Sequence, residues 1–220
     1  LKSILWVALP LMFGTFVQSL IGIIDGAFVS NLGNIPYNAV GNAGILYIAL
    51  FMLCRGLADG TQIRIANLLG QNKKAEIGQL LFNAQAVQLL LAACLFILII
   101  LVGPFFIASI SKSTEMAEAM SEFLAYRSWG LFFAALQVTL VAFFIGLGKT
   151  RIIIASTLLM ALSNIGLDYA MIFGKLGMPE LGMKGAAIAS SCAEVITFFF
   201  LFLVASKTKE FQEFNYHLKH

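Results

Sequence analysis

Charge is what this sequence has least of. Of its 220 residues only 11% are Asp, Glu, Lys or Arg, while 60% are hydrophobic. Mean hydropathy is +0.92. Soluble domains carry roughly 25% charged residues, so an ordinary soluble globular chain is excluded. The formal net charge of +3 is too small to suggest a nucleic-acid partner. Cysteine is scarce as well. Cys54, Cys94 and Cys192 lie in apolar stretches without CxxC or Cys/His spacing, and read as small hydrophobes rather than disulfide or metal positions. Both histidines, His217 and His220, sit in the tail. No Ser/His/Asp, HExxH or paired-Cys pattern occurs, so an enzyme reading has no nucleophile and no resident cofactor is expected. The stretch Gly146-Leu147-Gly148-Lys149-Thr150 echoes a phosphate-binding loop, but it lacks the first glycine at the required spacing and follows an apolar run rather than a strand. The ~10-residue alternation of a membrane barrel is missing too. No cleavable targeting segment is expected, because the first apolar run starts at once, contains Pro10 and Asp25, and outlasts a signal peptide.

What the chain does have is long apolar runs, six of them. The predicted spans run from about Ile4 to Val29, Ala39 to Ala58 (continuing as a more polar helix to Gly70), Leu80 to Val102, Phe123 to Leu147, Ile152 to Phe173, and Gly185 to Ala205. Each has enough residues to cross a ~30 Å hydrocarbon core at 1.5 Å per residue. The third is expected to stop at Gly103-Pro104. An acidic connector with Lys112, Glu115, Glu118 and Glu122 reads as a short surface helix. The pattern therefore predicts an all-α membrane protein, with residues 1–206 as a six-helix transmembrane unit and 207–220 as a polar tail. Loop charge predicts its orientation. One side collects Lys2, Arg64, Lys73, Lys74, Lys149, Arg151, Lys207, Lys209 and Lys219. The other has chiefly Lys112, Lys175 and Lys184, with Arg127 near a span end. The positive-inside bias puts both termini in the cytoplasm, in a cell inner (plasma) membrane.

Ionisable groups inside the spans are the informative positions, since a carboxylate in hydrocarbon costs at least ~2.5 kcal/mol. Asn164 and Asp168 are four residues apart and share a helix face. Asp25 lies about six residues before the outer turn at Asn31, Asp168 about six before the loop at Gly174, and Ser190 about six after Lys184. That is a common depth of ~9 Å. Two carboxylates, a carboxamide and a hydroxyl form an all-oxygen set suited to a hard cation. Two carboxylates at one site can also share a proton, because like charges in contact resist ionising together. The bland alternative is that each acid caps a neighbouring helix or bonds a kinked backbone. Pro10 either lets the first helix bend and move Asp25 or marks a static kink. Glu194, one turn beyond Ser190, is either a second proton or cation-substrate site or a buried acid paired with Gln137 or Thr197. Arg55 and Asp59, also four apart, read as an interfacial ion pair.

These residues resemble a known family. Pro10, then Asp25-Gly26 with Phe28-Val29 and Leu32-Gly33, looks like the first helix of the multidrug and toxic compound extrusion (MATE) family. Arg55-Gly56-Leu57-Ala58-Asp59-Gly60 running on to Asn67-Leu68-Leu69-Gly70 is similar to its second helix and basic loop. Asn164 to Asp168, then Gly185-Ala186-Ala187-Ile188-Ala189-Ser190, is similar to its fifth and sixth helices. The resemblance covers essentially the whole chain. It implies one six-helix N-terminal lobe of a twelve-helix antiporter, with residues 207–220 starting a cytoplasmic interlobe linker and a C-terminal lobe as partner. It also implies exchange of Na+ or H+ for small organic, often cationic, compounds, with Asp25, Asn164, Asp168 and Ser190 matching the N-lobe coupling site. The last position is usually threonine in the family. Two rival readings stand beside it. One is a flippase for lipid-linked saccharides, whose cavity would be expected to hold an Arg/Lys cluster for pyrophosphate. The other is a membrane assembly module with no transport of its own.

Overall fold

The computed structural model describes residues 2–111, 113–209 and 211–212, with side chains from Ala8 onward. Lys112, His217, Lys219, His220 and most of the expected linker therefore lie outside the described residues. Among the described residues all regular structure is helical: α1 (Lys2–Ser30), α2 (Asn34–Gly70), α3 (Lys74–Leu101), α4 (Gly103–Ile110), α5 (Thr114–Arg127), α6 (Leu131–Gly146), α7 (Arg151–Ile172) and α8 (Met183–Ser206). A 3-10 turn, Ser128–Gly130, joins α5 to α6. Six of these segments, counting α5 through α6 as one, are long and apolar enough to span a membrane.

The departures from the expected spans have local causes. The third span ends at Leu101, but Pro104 does not end the helical chain. It sits in the first turn of α4, where a missing N–H leaves no hydrogen bond unmade. The acidic connector is not a separate surface helix either. Ser113 caps it, its hydroxyl accepting from Met116 N at 3.2 Å, and α5 then runs through the 3-10 turn into α6. Arg127 is thereby carried more than three turns into the Thr114–Gly146 segment, away from the span end where loop counting had put it.

Two helix connections on the same side of the bundle use one device. After α2, Asn72 adopts a left-handed φ of 59°, Asn72 N bonds Leu69 O, and Lys73 N bonds Leu68 O. After α6, Gly148 takes φ 70°, with Gly148 N on Ile145 O and Lys149 N on Phe144 O. Both turns satisfy helix-end carbonyls and reverse the chain within a few residues, which forces antiparallel neighbours.

The bundle wraps α6, the most enclosed segment. Towards one end Tyr47, Leu95, Ile99, Ile107, Phe123 and Leu131 form an apolar cluster, and towards the other Ile65, Ile77, Leu140, Phe143, Phe144 and Leu201 form a second. Outward-facing Ile45, Phe82, Leu90 and Phe105 are exposed, which suits a lipid environment rather than water. Buried amides stitch the interior: Gln88 Nε2 donates to Cys54 O at 2.8 Å and Gln85 Nε2 to Leu136 O at 3.2 Å. The expected Arg55–Asp59 pair forms at 3.5 Å and is exposed.

Candidate functional site

The site depends on how α1 lies along α7. A side chain at Gly14 would touch Thr157 Oγ1 at 3.5 Å. Val17 and Ile21 pack on Ala161, and Val29 packs on Ile172. Residue numbers rise together along both helices, so they run parallel. From Gly14 to Asp25 is eleven residues, and from Thr157 to Asp168 is eleven. Eleven residues make about three full turns and return to the same face. The register that seats Gly14 against Thr157 thus delivers Asp25 to Asp168.

The two carboxyls meet within hydrogen-bonding reach of each other. Asp168 is fully buried and Asn164 nearly so, while Asp25 is half-buried. Asn164 Nδ2 donates to Asp168 Oδ2 at 3.1 Å, the bond expected from their spacing. Among the described residues, Asp25 Oδ1 and Asp168 Oδ1 are both buried without a donor. Two ionised carboxylates so placed repel, and a buried acceptor without a donor costs roughly 1–3 kcal/mol. A proton shared between them, or a hard cation taking both free oxygens, would remove both penalties at once.

Ser190 behaves differently. Its hydroxyl donates to Ala186 O at 3.0 Å, one turn back on its own helix, and among the described residues makes no bond to the acid pair. Its oxygen lone pairs stay open. The helix that carries it is tightly applied to α7: a Cβ on Gly185 would lie 2.6 Å from Met171 O. The intervening loop folds back on α7, with Leu181 N bonding Met171 O at 2.8 Å and Gly182 N bonding Ile172 O at 3.3 Å. Pro10 is buried and α1 continues through it as one helix.

Glu194 does not pair with Gln137 or Thr197. Gln137 Nε2 points to Met160 Sδ, and the Thr197 hydroxyl bonds Ala193 O. The partner is Arg127, in a two-pronged ion pair: Nη1 reaches Oε2 at 2.9 Å and Nη2 reaches Oε1. Both side chains are largely buried, at 13% and 5% exposure. The guanidinium also lies over the Tyr47 ring, 4.1 Å from its centroid, and Tyr47 stacks on Phe51. Space for the pair exists because residue 130 is glycine. A Cβ there would fall about 2.5 Å from Arg127 Nη1 and 2.6 Å from Glu194 Oε2. The sequence did contain one signal for this pairing, namely opposite charges within two apolar runs, since a buried acid without a counter-charge is hard to sustain.

Comparison with known proteins identifies the family and the fold. The MatE family model matches residues 10–170. Proteins curated as probable multidrug resistance protein NorM match over nearly all of the chain. The one from Thermotoga maritima is 28% identical over 211 residues, 96% of this chain. The one from Synechocystis is 31% identical and covers 99%. The chain spans about half the length of these relatives, 46% and 48% respectively. Among solved structures, an outward-facing multidrug resistance MATE family transporter of the MOP superfamily superposes with a TM-score of 0.86 at 25% identity, covering 94% of this chain and 46% of its own. An inward-facing form of such a transporter gives 0.81 at 24% identity.

Proposed function

The chain belongs to the MATE family of membrane transporters, and from that membership we propose that it serves as the N-terminal six-helix lobe of a cation-coupled exporter of organic, mainly cationic, compounds. A C-terminal lobe would complete the transporter, with residues 207–220 leading into the linker. The membrane would be the plasma membrane, both termini cytoplasmic. The family is one of transporters rather than enzymes.

The observation that carries this reading is the contact of Asp25 with Asp168, each with one buried oxygen lacking a donor. Na+ or H+ entering from outside would be taken between these oxygens, with Asn164 holding Asp168 in orientation through its Nδ2 donor. Ser190 can lend an oxygen lone pair without giving up its bond to Ala186. Neutralising the pair draws Asp25 towards α7, and α1 transmits that shift along its length. Pro10, which can make no backbone N–H bond, is the point at which α1 can bend most easily. Bending would reshape the lobe cavity and expel the organic cation outward. Return of the lobe with its cation would release that cation to the cytoplasm, completing the exchange.

Cargo of positive or neutral charge is supported over a lipid pyrophosphate. Glu194 neutralises Arg127, so the two aspartates dominate what is left of the intramembrane charge. The test is Asp25→Asn in the assembled transporter, reconstituted in vesicles and followed by ethidium efflux. Ion-driven efflux should be lost; unchanged efflux under an intact ion gradient would overturn the reading.

A further inference from the structure

Along the α1–α7 seam the acid pair has an apolar layer on either side. The layer nearer the 174–182 loop is built by the register of three helices. Val29 is four residues after Asp25 on α1, Ile172 four after Asp168 on α7, and Ala186 four before Ser190 on α8. Because α8 runs back from the loop, all three steps go one turn, about 5.4 Å, towards the same end. The three side chains are buried and pack into one cluster, flanked by Phe28, Leu32, Val40 and Phe173. The Phe28 and Phe173 rings meet edge to face, 5.8 Å between centroids. The backbone around the layer is tied as well, with Gly182 N bonding Ile172 O at 3.3 Å and Ala186 N bonding Gly182 O at 3.4 Å. Towards the other end Val17, Ile21 and Ala161 form a second buried apolar cluster, one to two turns from the acids. The flank of α1 is different. Asp25 is partly exposed where Asp168 is fully buried. Thr15, Ser19 and Gly22, three or four residues apart, make an exposed strip that leads to Asp25. Among the described residues nothing lies within 4 Å of a Cβ built at Gly22, three residues before Asp25.

We propose that Val29, Ile172 and Ala186 form a dry seal over the coupling site, so that the cation reaches and leaves the two aspartates sideways, along the Thr15–Ser19–Gly22 flank of α1. This inference rests on the coupling role given to those aspartates above. A layer of Val, Ile and Ala side chains offers a passing charge no hydrogen bond, and apolar constrictions of this kind exclude water and ions together. Exchange needs such a seal, because the site must be shut to one side of the membrane while it is open to the other. With the seal breached, the site stays reachable from the loop side in every state, and cations slip across without cargo.

The experiment follows cation uptake by the complete transporter in vesicles with no organic compound present, using radioactive Na+ and a pH-sensitive dye for H+. Ile172→Asn puts a polar group into the layer at the last residue of α7, where it disturbs little helix. It should raise cargo-independent uptake at least about tenfold over wild type, the effect on a crossing rate of one hydrogen bond offered to a passing charge. Val29→Thr keeps the shape of the side chain and should shift uptake in the same direction; it decides alone if Ile172→Asn fails to fold. Ile172→Val, smaller but still apolar, should show no such leak. Adding Asp25→Asn to Ile172→Asn should abolish the leak, since the route runs by way of the acid pair. Wild-type uptake in the folded polar variants, an equal leak from Ile172→Val, or a leak that survives Asp25→Asn overturns the seal, and each of these removes this inference only. The coupling reading falls by a separate result, unchanged ion-driven efflux in Asp25→Asn alone.

Discussion

Gly185 lies where α8 closely approaches the α7 backbone, and replacing it tests whether the geometry around Asp168 depends on that contact. A methyl group at position 185 would stand 2.6 Å from Met171 O and 2.7 Å from Met171 C. Carbon and carbonyl oxygen ordinarily stay about 3.3–3.6 Å apart, so the helices would have to part by roughly 0.8 Å. The obstacle is backbone, which cannot swing aside as a side chain would. Overpacking of this kind costs about 1–3 kcal/mol. Replacing a helical glycine by alanine returns about 1 kcal/mol, leaving Gly185→Ala destabilised by up to about 2 kcal/mol. For a chain of this size that lowers Tm by up to about 8 °C. Gly166, on α7 between Asn164 and Asp168, is the matched control, because nothing lies within 4 Å of a Cβ built there. Gly166→Ala should gain about 0.5–1 kcal/mol and raise Tm. The assay is thermal unfolding of the two variants in one detergent, read by intrinsic fluorescence. A Gly185→Ala protein as stable as Gly166→Ala would refute the claim that the α7–α8 spacing is set by backbone contact.

Arg127→Ala should be the most damaging substitution among the buried polar groups, at about 3–5 kcal/mol, because it strands Glu194 without a counter-charge; the loss would be read as reduced folded yield and Tm. Tyr47→Phe should be nearly neutral, since the guanidinium lies over the ring and the hydroxyl is buried without a partner among the described residues; a drop of more than a few degrees would show that the hydroxyl does bond. Gln88→Leu should also fall near zero, because losing the bond to Cys54 O is offset by removing a buried oxygen that has no donor among the described residues. Both are checked by the same unfolding assay.

Length and apolarity alone determined six membrane-capable helices, because no other structure satisfies the backbone of a 20-residue apolar run in lipid. The four-residue spacing of Asn164 and Asp168 likewise determined their hydrogen bond. The meeting of Asp25 with Asp168 was inferred from matched depth, and tertiary structure supplied what depth cannot: a parallel α1–α7 register, set by Gly14 against Thr157 and Val29 against Ile172. The partner of Glu194 was decided only in three dimensions. Inside a membrane the lipid-facing and protein-facing sides of a helix are both apolar, so hydrophobic periodicity does not say which face looks inward. Span ends read from charge put Arg127 near a span end, whereas the Ser113 cap and the 3-10 turn at Gly130 carry it into the interior. That a new helix starts at Gly103 was equally hidden, since a proline just past one helix and a proline in the first turn of the next occupy the same place in the sequence.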